Sequence, residues 1–112
     1  MGYSRAVRVG NVVEVAGTTA QDGDAVTGAD AHTQTKRVLE KIGEALTAAG
    51  ATFEDVVRTR MFVTDISQWE AVGQAHGEVF GDIRPVATMV EVKALIDPRL
   101  LVEIEATAII SA

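Results

Sequence analysis

Residues 101–110 contain an alternation of apolar and polar side chains from Val102 to Ala108, and this pattern constrains the fold more than any other part of the chain. Because successive side chains of a strand point to opposite faces of a sheet, the pattern predicts a half-buried β-strand. Its polar face must meet water, a cation or a cleft, since an unpaired carboxylate is costly to bury. The predicted buried face carries Val102, Ile104, Ala106 and Ala108, and the opposite face carries Glu103, Glu105 and Thr107.

Four further strands are predicted from apolar runs bounded by turn residues. Residues 3–9 and 12–16 flank the pair Gly10-Asn11, which is suited to a tight hairpin because both residues tolerate positive φ. Residues 56–64 are apolar on both faces near their end. Residues 86–92 follow a proline, which is tolerated at the start of a strand.

Two helices are predicted from apolar residues at helical spacing. The first covers residues 30–49, with Asp30 or Thr27 as its N-cap and Gly50 as its left-handed terminating residue. The second begins at a capping box formed by Ser67 and Glu70 and ends near residue 80. Residues 21–28, rich in glycine and aspartate, are predicted to form a polar loop.

The element order β-β-α-β-α-β-β predicts a single α+β domain over residues 1–112. Both helices are expected on one face of a mixed sheet, which leaves the other face to be covered. The composition is 47% hydrophobic but only 4% aromatic, so aliphatic residues exceed what one small core needs. This excess predicts a buried subunit interface, although an exposed ligand groove would also explain it.

Charge and composition exclude several functional classes. The net charge of -6 argues against a nucleic-acid partner, because such binding depends on clustered cations that neutralise phosphates. The lack of cysteine excludes disulfides and thiolate catalysis, and it fits a cytoplasmic location. No apolar run approaches the roughly 20 residues of a membrane helix, and no signal peptide is evident. Phosphate-binding loops, dinucleotide fingerprints and metal-spaced histidine pairs are absent, so neither a metal nor a cofactor is expected.

Isolated charged residues have both a structural and a functional interpretation. His32 and His76 lie on different predicted helices with no evident partner, which favours solvated or half-buried structural roles. Arg58 and Arg60 share one strand face with Phe62, and they suit either an anion site or, preferably, salt bridges to glutamates. Glutamates within aliphatic strands are the strongest physical indication of a site.

The chain resembles the Rid/YjgF family in five segments that occur in the family's order. Residues 3–7 (Tyr-Ser-Arg-Ala-Val) resemble the family's Tyr-Ser-Gln-Ala-Val opening, and residues 15–18 resemble its second strand. Residues 55–65 are similar to its Asp-Val-Val-Lys-Thr…Phe-Val-Asp strand. Residues 85–92 and 102–106 are similar to its C-terminal signature. The resemblance implies a ferredoxin-like subunit of the chorismate-mutase type, assembled as a homotrimer around a sheet-lined barrel with clefts between neighbours.

The resemblance also implies an activity, and this sequence departs from the family at two positions connected with it. Imine deaminases of the family hydrolyse enamines and imines such as 2-aminoacrylate to 2-keto acids and ammonia. An arginine in their Pro-Ala-Arg-Ser segment binds the substrate carboxylate bidentately, as guanidinium geometry suits. Here the segment is Pro85-Val86-Ala87-Thr88, so Ala87 stands where that arginine belongs. Gly73 stands where an asparagine is often found on the second helix.

Other positions match the family. Glu103 occupies the position of a glutamate thought to orient water and is the candidate catalytic residue. Arg84 lies three residues before Ala87, but Pro85 and strand geometry argue against Arg84 simply taking the place of the missing family arginine. The candidate ligand-binding residues are Tyr3, Thr18, Arg84, Ala87 and Thr88.

The leading hypothesis is a trimer that binds a small metabolite, such as a carboxylate, with deaminase activity weak, altered or lost. One alternative is a hydrolase that acts on a different imine, with Glu103 positioning water. A translation-inhibiting endoribonuclease is another alternative, which the acidic charge disfavours. A purely structural or partner-binding trimer also fits the sequence. The sequence does not name the ligand.

Overall fold

A mixed sheet of five strands organises residues 1–111, the part of the chain that the computed structural model describes. The strand order is β1-β2-β7-β5-β6, in which only β5 and β6 run parallel. The α+β class and the predicted order of the main elements are therefore confirmed. The elements are β1 (Ala6–Val9), β2 (Val12–Thr18), β3 (Gln21–Asp22), β4 (Ala25–Val26), α1 (Ala31–Ala48), β5 (Val56–Val63), α2 (Trp69–Phe80), β6 (Val86–Glu91) and β7 (Val102–Ile109).

The prediction was wrong in two places near the N-terminus. Residues 21–28, predicted as a loop, contain the small hairpin β3–β4, which pairs apart from the main sheet. The strand predicted from Tyr3 begins only at Ala6, and Tyr3 itself is exposed. In contrast, β2 continues beyond its predicted end, because a bulge between Val15 and Thr18 lets pairing with β7 resume.

Helix α1 begins and ends where its capping residues predict. The side chain of Asp30 accepts a hydrogen bond from the Thr33 backbone N–H at 2.8 Å. Gly50 follows the helix with φ of +87°, a conformation that costs glycine little. One face of the helix packs on the sheet and is formed mainly by Val38, Leu39, Ile42 and Leu46.

The start of α2 differs from the prediction. Ser67 does not cap the helix, because its backbone N–H and its hydroxyl both donate to Asp65, at 3.0 and 2.6 Å. Asp65 therefore caps a short 3₁₀ turn that leads directly into α2, and Glu70 has no capping role. A reciprocal capping box forms instead between Thr52 and Asp55, before β5.

The two faces of the sheet have different surroundings. The face under the helices forms the core, as the alternation in β7 predicts. We call the other face the open face, since no helix covers it within residues 1–111. Exposed aliphatic side chains on the open face are Val7, Val9, Val12, Val86, Val90 and Ile109.

Neither helix among residues 1–111 is long and apolar enough to span a membrane.

The capping assignment for α2 predicts which substitution weakens the fold. Asp65→Ala should lower the free energy of unfolding by about 1 kcal/mol, because it removes the acceptor for the orphan N–H groups of the turn. Glu70→Ala should change it by less than about 0.5 kcal/mol, as expected for an exposed side chain without a capping bond. Urea unfolding at one fixed subunit concentration measures both. Equal decreases in the free energy of unfolding for the two variants would support the capping box of Ser67 and Glu70 instead.

Candidate functional site

The Glu103 carboxylate lies against the backbone of Gly17, at the bulge of β2. A Cβ atom on Gly17 would overlap the end of the Glu103 side chain, so a larger residue at position 17 would push the carboxylate away from this position. Glu103 pairs with Phe62 across β7 and β5, which places both side chains on the open face. The candidate catalytic residue therefore faces away from the helices, as the alternation predicts.

The environment of Glu103 favours its protonated form. Burial raises the pKa of the Glu103 carboxyl, the nearby negative charge of Glu105 raises it further, and Arg5 opposes both effects. A carboxyl group whose pKa moves toward neutrality is better suited to proton transfer than an ordinary exposed one. Perturbed carboxyls of this kind occur often at functional sites, although structural networks also produce them.

Thr18 is fully buried, and its hydroxyl is already used inside the chain. The hydroxyl donates to the Ala16 carbonyl at 2.8 Å and accepts a short hydrogen bond from the Arg5 guanidinium. Thr18 thus holds the bulge and Arg5 in place. Sequence reasoning missed Arg5 as a site residue, although it stands where the family's opening motif has a neutral glutamine.

Two rows of polar side chains cross the open face. In one row Thr107 lies between Glu14 and Arg58, and its hydroxyl donates to Glu14. In the next row Arg60 forms an ion pair with Glu105 at 3.1 Å. The predicted salt bridging is therefore confirmed for Arg60. It is wrong for Arg58, which forms no ion pair within residues 1–111 because Thr107 separates it from Glu14.

The polar rows form one wall of a shallow cavity of about 340 Å³ on the open face. Aliphatic side chains of the open face lie around this charged centre. The cavity is lined by Ser4, Val7, Glu14, Val15, Ala16, Arg58, Arg60, Glu105, Ala106 and Thr107.

The candidate ligand residues on β6 lie on different sides of the sheet. Thr88 pairs with Arg60 and shares the open face, whereas Ala87 pairs with Thr59, which is buried under the helices. Ala87 and Glu103 consequently lie on opposite faces, and one subunit cannot present both to the same small ligand.

The two remaining candidates lie outside the strands. Arg84 has φ of 58°, and its backbone N–H donates to the Phe80 carbonyl at 2.8 Å, which closes the end of α2. Its side chain is exposed and has no hydrogen-bond or ion-pair partner within residues 1–111. Tyr3 is also exposed. The structure does not bring Tyr3, Arg84 and Glu103 together within one chain.

Both histidines have partners that the sequence did not reveal. His32 lies 3.1 Å from Glu78 and links α1 to α2. His76 lies 2.9 Å from the hydroxyl of Thr59 and stacks against Phe80, with ring centroids 4.6 Å apart. Both histidines are partly buried, as predicted. Their partners were not evident because both contacts join residues that are distant in the sequence.

The fold and the open face define an α+β subunit of the chorismate-mutase-like type. The chain belongs to the Rid/YjgF family. The family model described as Endoribonuclease L-PSP matches residues 1–110. The resemblance seen in the sequence is thereby confirmed.

Relatives match over nearly the whole chain. The crystal structure of Rv2704 from Mycobacterium tuberculosis, a member of the YjgF/YER057c/UK114 family, is 58% identical and superposes with a TM-score of 0.91, covering 97% of this chain and 87% of that one. The RutC family protein PYRAB12510 of Pyrococcus abyssi is 39% identical over 95% of this chain and 84% of its own length. The 3-aminoacrylate deaminase RutC of Acinetobacter baylyi is 35% identical, covering 95% of this chain and 85% of its own length.

The raised pKa of Glu103 predicts how stability depends on pH. Protonated Glu103 contributes to the stability of the folded chain below about pH 4.5, the ordinary glutamate pKa. This contribution is lost as the pH rises through the raised pKa that Glu103 has in the folded chain. Glu103→Gln should therefore be more stable than the parent at about pH 7, with the difference vanishing at about pH 3. Chemical unfolding across this range measures the effect.

A matched control changes the neighbouring carboxylate. Glu105→Gln removes a negative charge and should lower the pKa of Glu103, read from the ¹³C shift of its carboxyl carbon during a pH titration. Two results together would contradict a raised pKa of Glu103: an unchanged titration of Glu103 in the Glu105→Gln variant, and a stability difference between Glu103→Gln and the parent that does not depend on pH.

Proposed function

We propose that this chain binds a small metabolite in the clefts between subunits of a cytoplasmic homotrimer, with imine or enamine deaminase activity weak, altered or lost. The observation that carries the proposal is the position of Ala87 and Glu103 on opposite faces of one sheet. A ligand that meets both positions must lie between two subunits. The methyl group of Ala87 offers no charge to a carboxylate.

The open face supports the assembly. Its valines and Ile109 remain exposed in the single subunit, and each fully buried aliphatic side chain contributes about 1.5–3 kcal/mol. Arg58 has no ion-pair partner within residues 1–111, and a neighbouring subunit could supply one. A closed ring of identical subunits covers this face without leaving a free edge. The family resemblance favours three subunits.

The loss of the arginine argues against efficient use of small carboxylate imines. A bidentate guanidinium contact is worth roughly 1.5–3 kcal/mol per hydrogen bond. Losing two such bonds weakens recognition by about a hundredfold or more. A ligand that binds well must therefore rely on other contacts.

A hydrolase that acts on a different imine is the second candidate, and the raised pKa of Glu103 favours it. The Acinetobacter relative is named for 3-aminoacrylate. Hydrolysis of that enamine places a proton on C2 to give the imine, adds water at C3, breaks the C–N bond and releases ammonia and 3-oxopropanoate. Glu103 would position the water and move its proton. Endoribonuclease activity, named in the family model, is disfavoured by the net charge of -6.

The homotrimer predicts the effect of a charge on the open face. Val12→Asp should yield monomers, because each interface would bury an unpaired carboxylate. Thr47→Asp, on the exposed side of α1, adds the same charge and should leave the trimer intact. Light scattering at micromolar subunit concentration measures the mass. A monomeric parent protein would remove the basis for a cleft between subunits.

The deaminase activity is tested with an enamine that is generated in situ. A pyridoxal-phosphate enzyme produces 2-aminoacrylate, and the release of keto acid is timed with and without this protein. We expect no more than about a hundredth of the acceleration given by an arginine-bearing relative, and a gain for Ala87→Arg if the pocket accepts it. Acceleration equal to that of the relative would show that another cation replaces the arginine. Hydrolysis of 3-aminoacrylate alone, lost in Glu103→Gln, would establish the second candidate.

A further inference from the structure

A hydrogen-bonded pair joins α2 to the sheet beside the position of Ala87. His76 Nε2 lies 2.9 Å from Thr59 Oγ1, and Thr59 is fully buried. Within residues 1–111 the imidazole is the only side-chain partner of this hydroxyl. If His76 donated the bond, the buried hydroxyl proton would have no acceptor, which is unfavourable. Thr59 therefore donates to Nε2, and the ring proton of neutral His76 resides on Nδ1.

The second ring nitrogen is available for binding. Burial lowers the pKa of His76, which keeps the ring neutral near pH 7. Nδ1 has no partner within residues 1–111, and no buried side-chain nitrogen or oxygen there lacks one, so Nδ1 reaches solvent. The ring packs against Phe80 with an interplanar angle of 39°, which restricts its orientation. The pair thus presents one oriented N–H donor.

Small or exposed residues lie beside this donor. Ala87 is exposed and shares the helix side of the sheet with Thr59. On α2, Gly73 lies one turn before His76 on neighbouring positions of the helix surface, and Gly77 follows His76 directly; a Cβ added to either glycine would meet no atom within 4 Å. Neither glycine has positive φ, so neither a turn nor internal packing accounts for two poor helix formers in this helix.

We propose that His76 Nδ1–H is a ligand-binding donor at the surface beside Gly73 and Ala87, and that it binds an uncharged carbonyl or amide oxygen of a small ligand. A neutral imidazole offers no charge to offset the desolvation of a carboxylate, whereas it matches an uncharged oxygen. Thr59 is the positioning residue, since it fixes the tautomer. The inference rests on the proposed function, because it specifies the ligand chemistry of the same cleft.

The test is a pair of NMR titrations on the intact protein with pyruvamide and pyruvate at millimolar concentrations. Long-range ¹H–¹⁵N spectra of the histidine rings should show the proton of His76 on Nδ1. Pyruvamide should shift the His76 ring signals and the amide signals of Gly73 and Gly77, with a Kd at least about tenfold lower than that of pyruvate.

Two variants and a control separate binding from folding. His76→Phe keeps the aromatic ring and should abolish the pyruvamide shifts at Gly73 and Gly77. Thr59→Val keeps the shape of the side chain and should give a mixture of tautomers and weaker pyruvamide binding. His32→Phe, which removes the other histidine, should leave pyruvamide binding unchanged.

The remaining outcomes overturn the inference. A proton on Nε2, tighter or equal binding of pyruvate, or an unperturbed His76 ring would each do so. If pyruvamide shifts only signals around Gly17 and Glu103, the role of His76 fails while the proposed function stands. If the protein is also a monomer by light scattering, the proposed function fails with it.

Discussion

Two helices cover only one face of the five-stranded sheet, and the rest of the structure depends on this imbalance. Burying the helix-side aliphatic residues of β2, β5 and β7 stabilises the subunit, but it forces the alternate side chains outward. Those outward positions combine exposed valines with charged side chains in two rows. A face of this composition is poorly suited to remain in water, and a second copy of the same surface can cover both its apolar and its charged parts.

The bulge in β2 connects this constraint to the candidate site. By inserting an extra residue opposite β7, the bulge returns Thr18 to the core side of the sheet and brings the bare backbone of Gly17 toward Glu103. The carboxylate then loses part of its water, which raises its pKa. Arg5 is fixed by Thr18 and moderates this effect. The electrostatics of Glu103 are therefore a consequence of strand geometry.

Local patterns in the sequence predict the elements whose causes are local. The alternation in β7 predicts both of its faces, and Asp30 and Gly50 predict the ends of α1. The predicted start of α2 was wrong because Asp65 and Ser67, two residues apart, are both good capping residues, and in the structure Ser67 donates to Asp65 instead of capping the helix. Of the site, Glu103 could be predicted. The contacts between His76 and Thr59 or between Arg5 and Thr18 could not, because tertiary packing creates them.

The sheet also separates the two groups of candidate site residues, because Ala87 and Glu103 lie on opposite faces. The Glu103 carboxylate lies close to Gly17, so a larger residue at position 17 would displace it. The edge formed by α2 and β6 is different, since Gly73, Gly77 and Ala87 leave open space there. In the proposed trimer, substitutions at this edge would alter ligand preference without disturbing the carboxylate on the other face. Because Ala87 and Glu103 lie on opposite faces of one sheet, a site that uses both positions would require assembly.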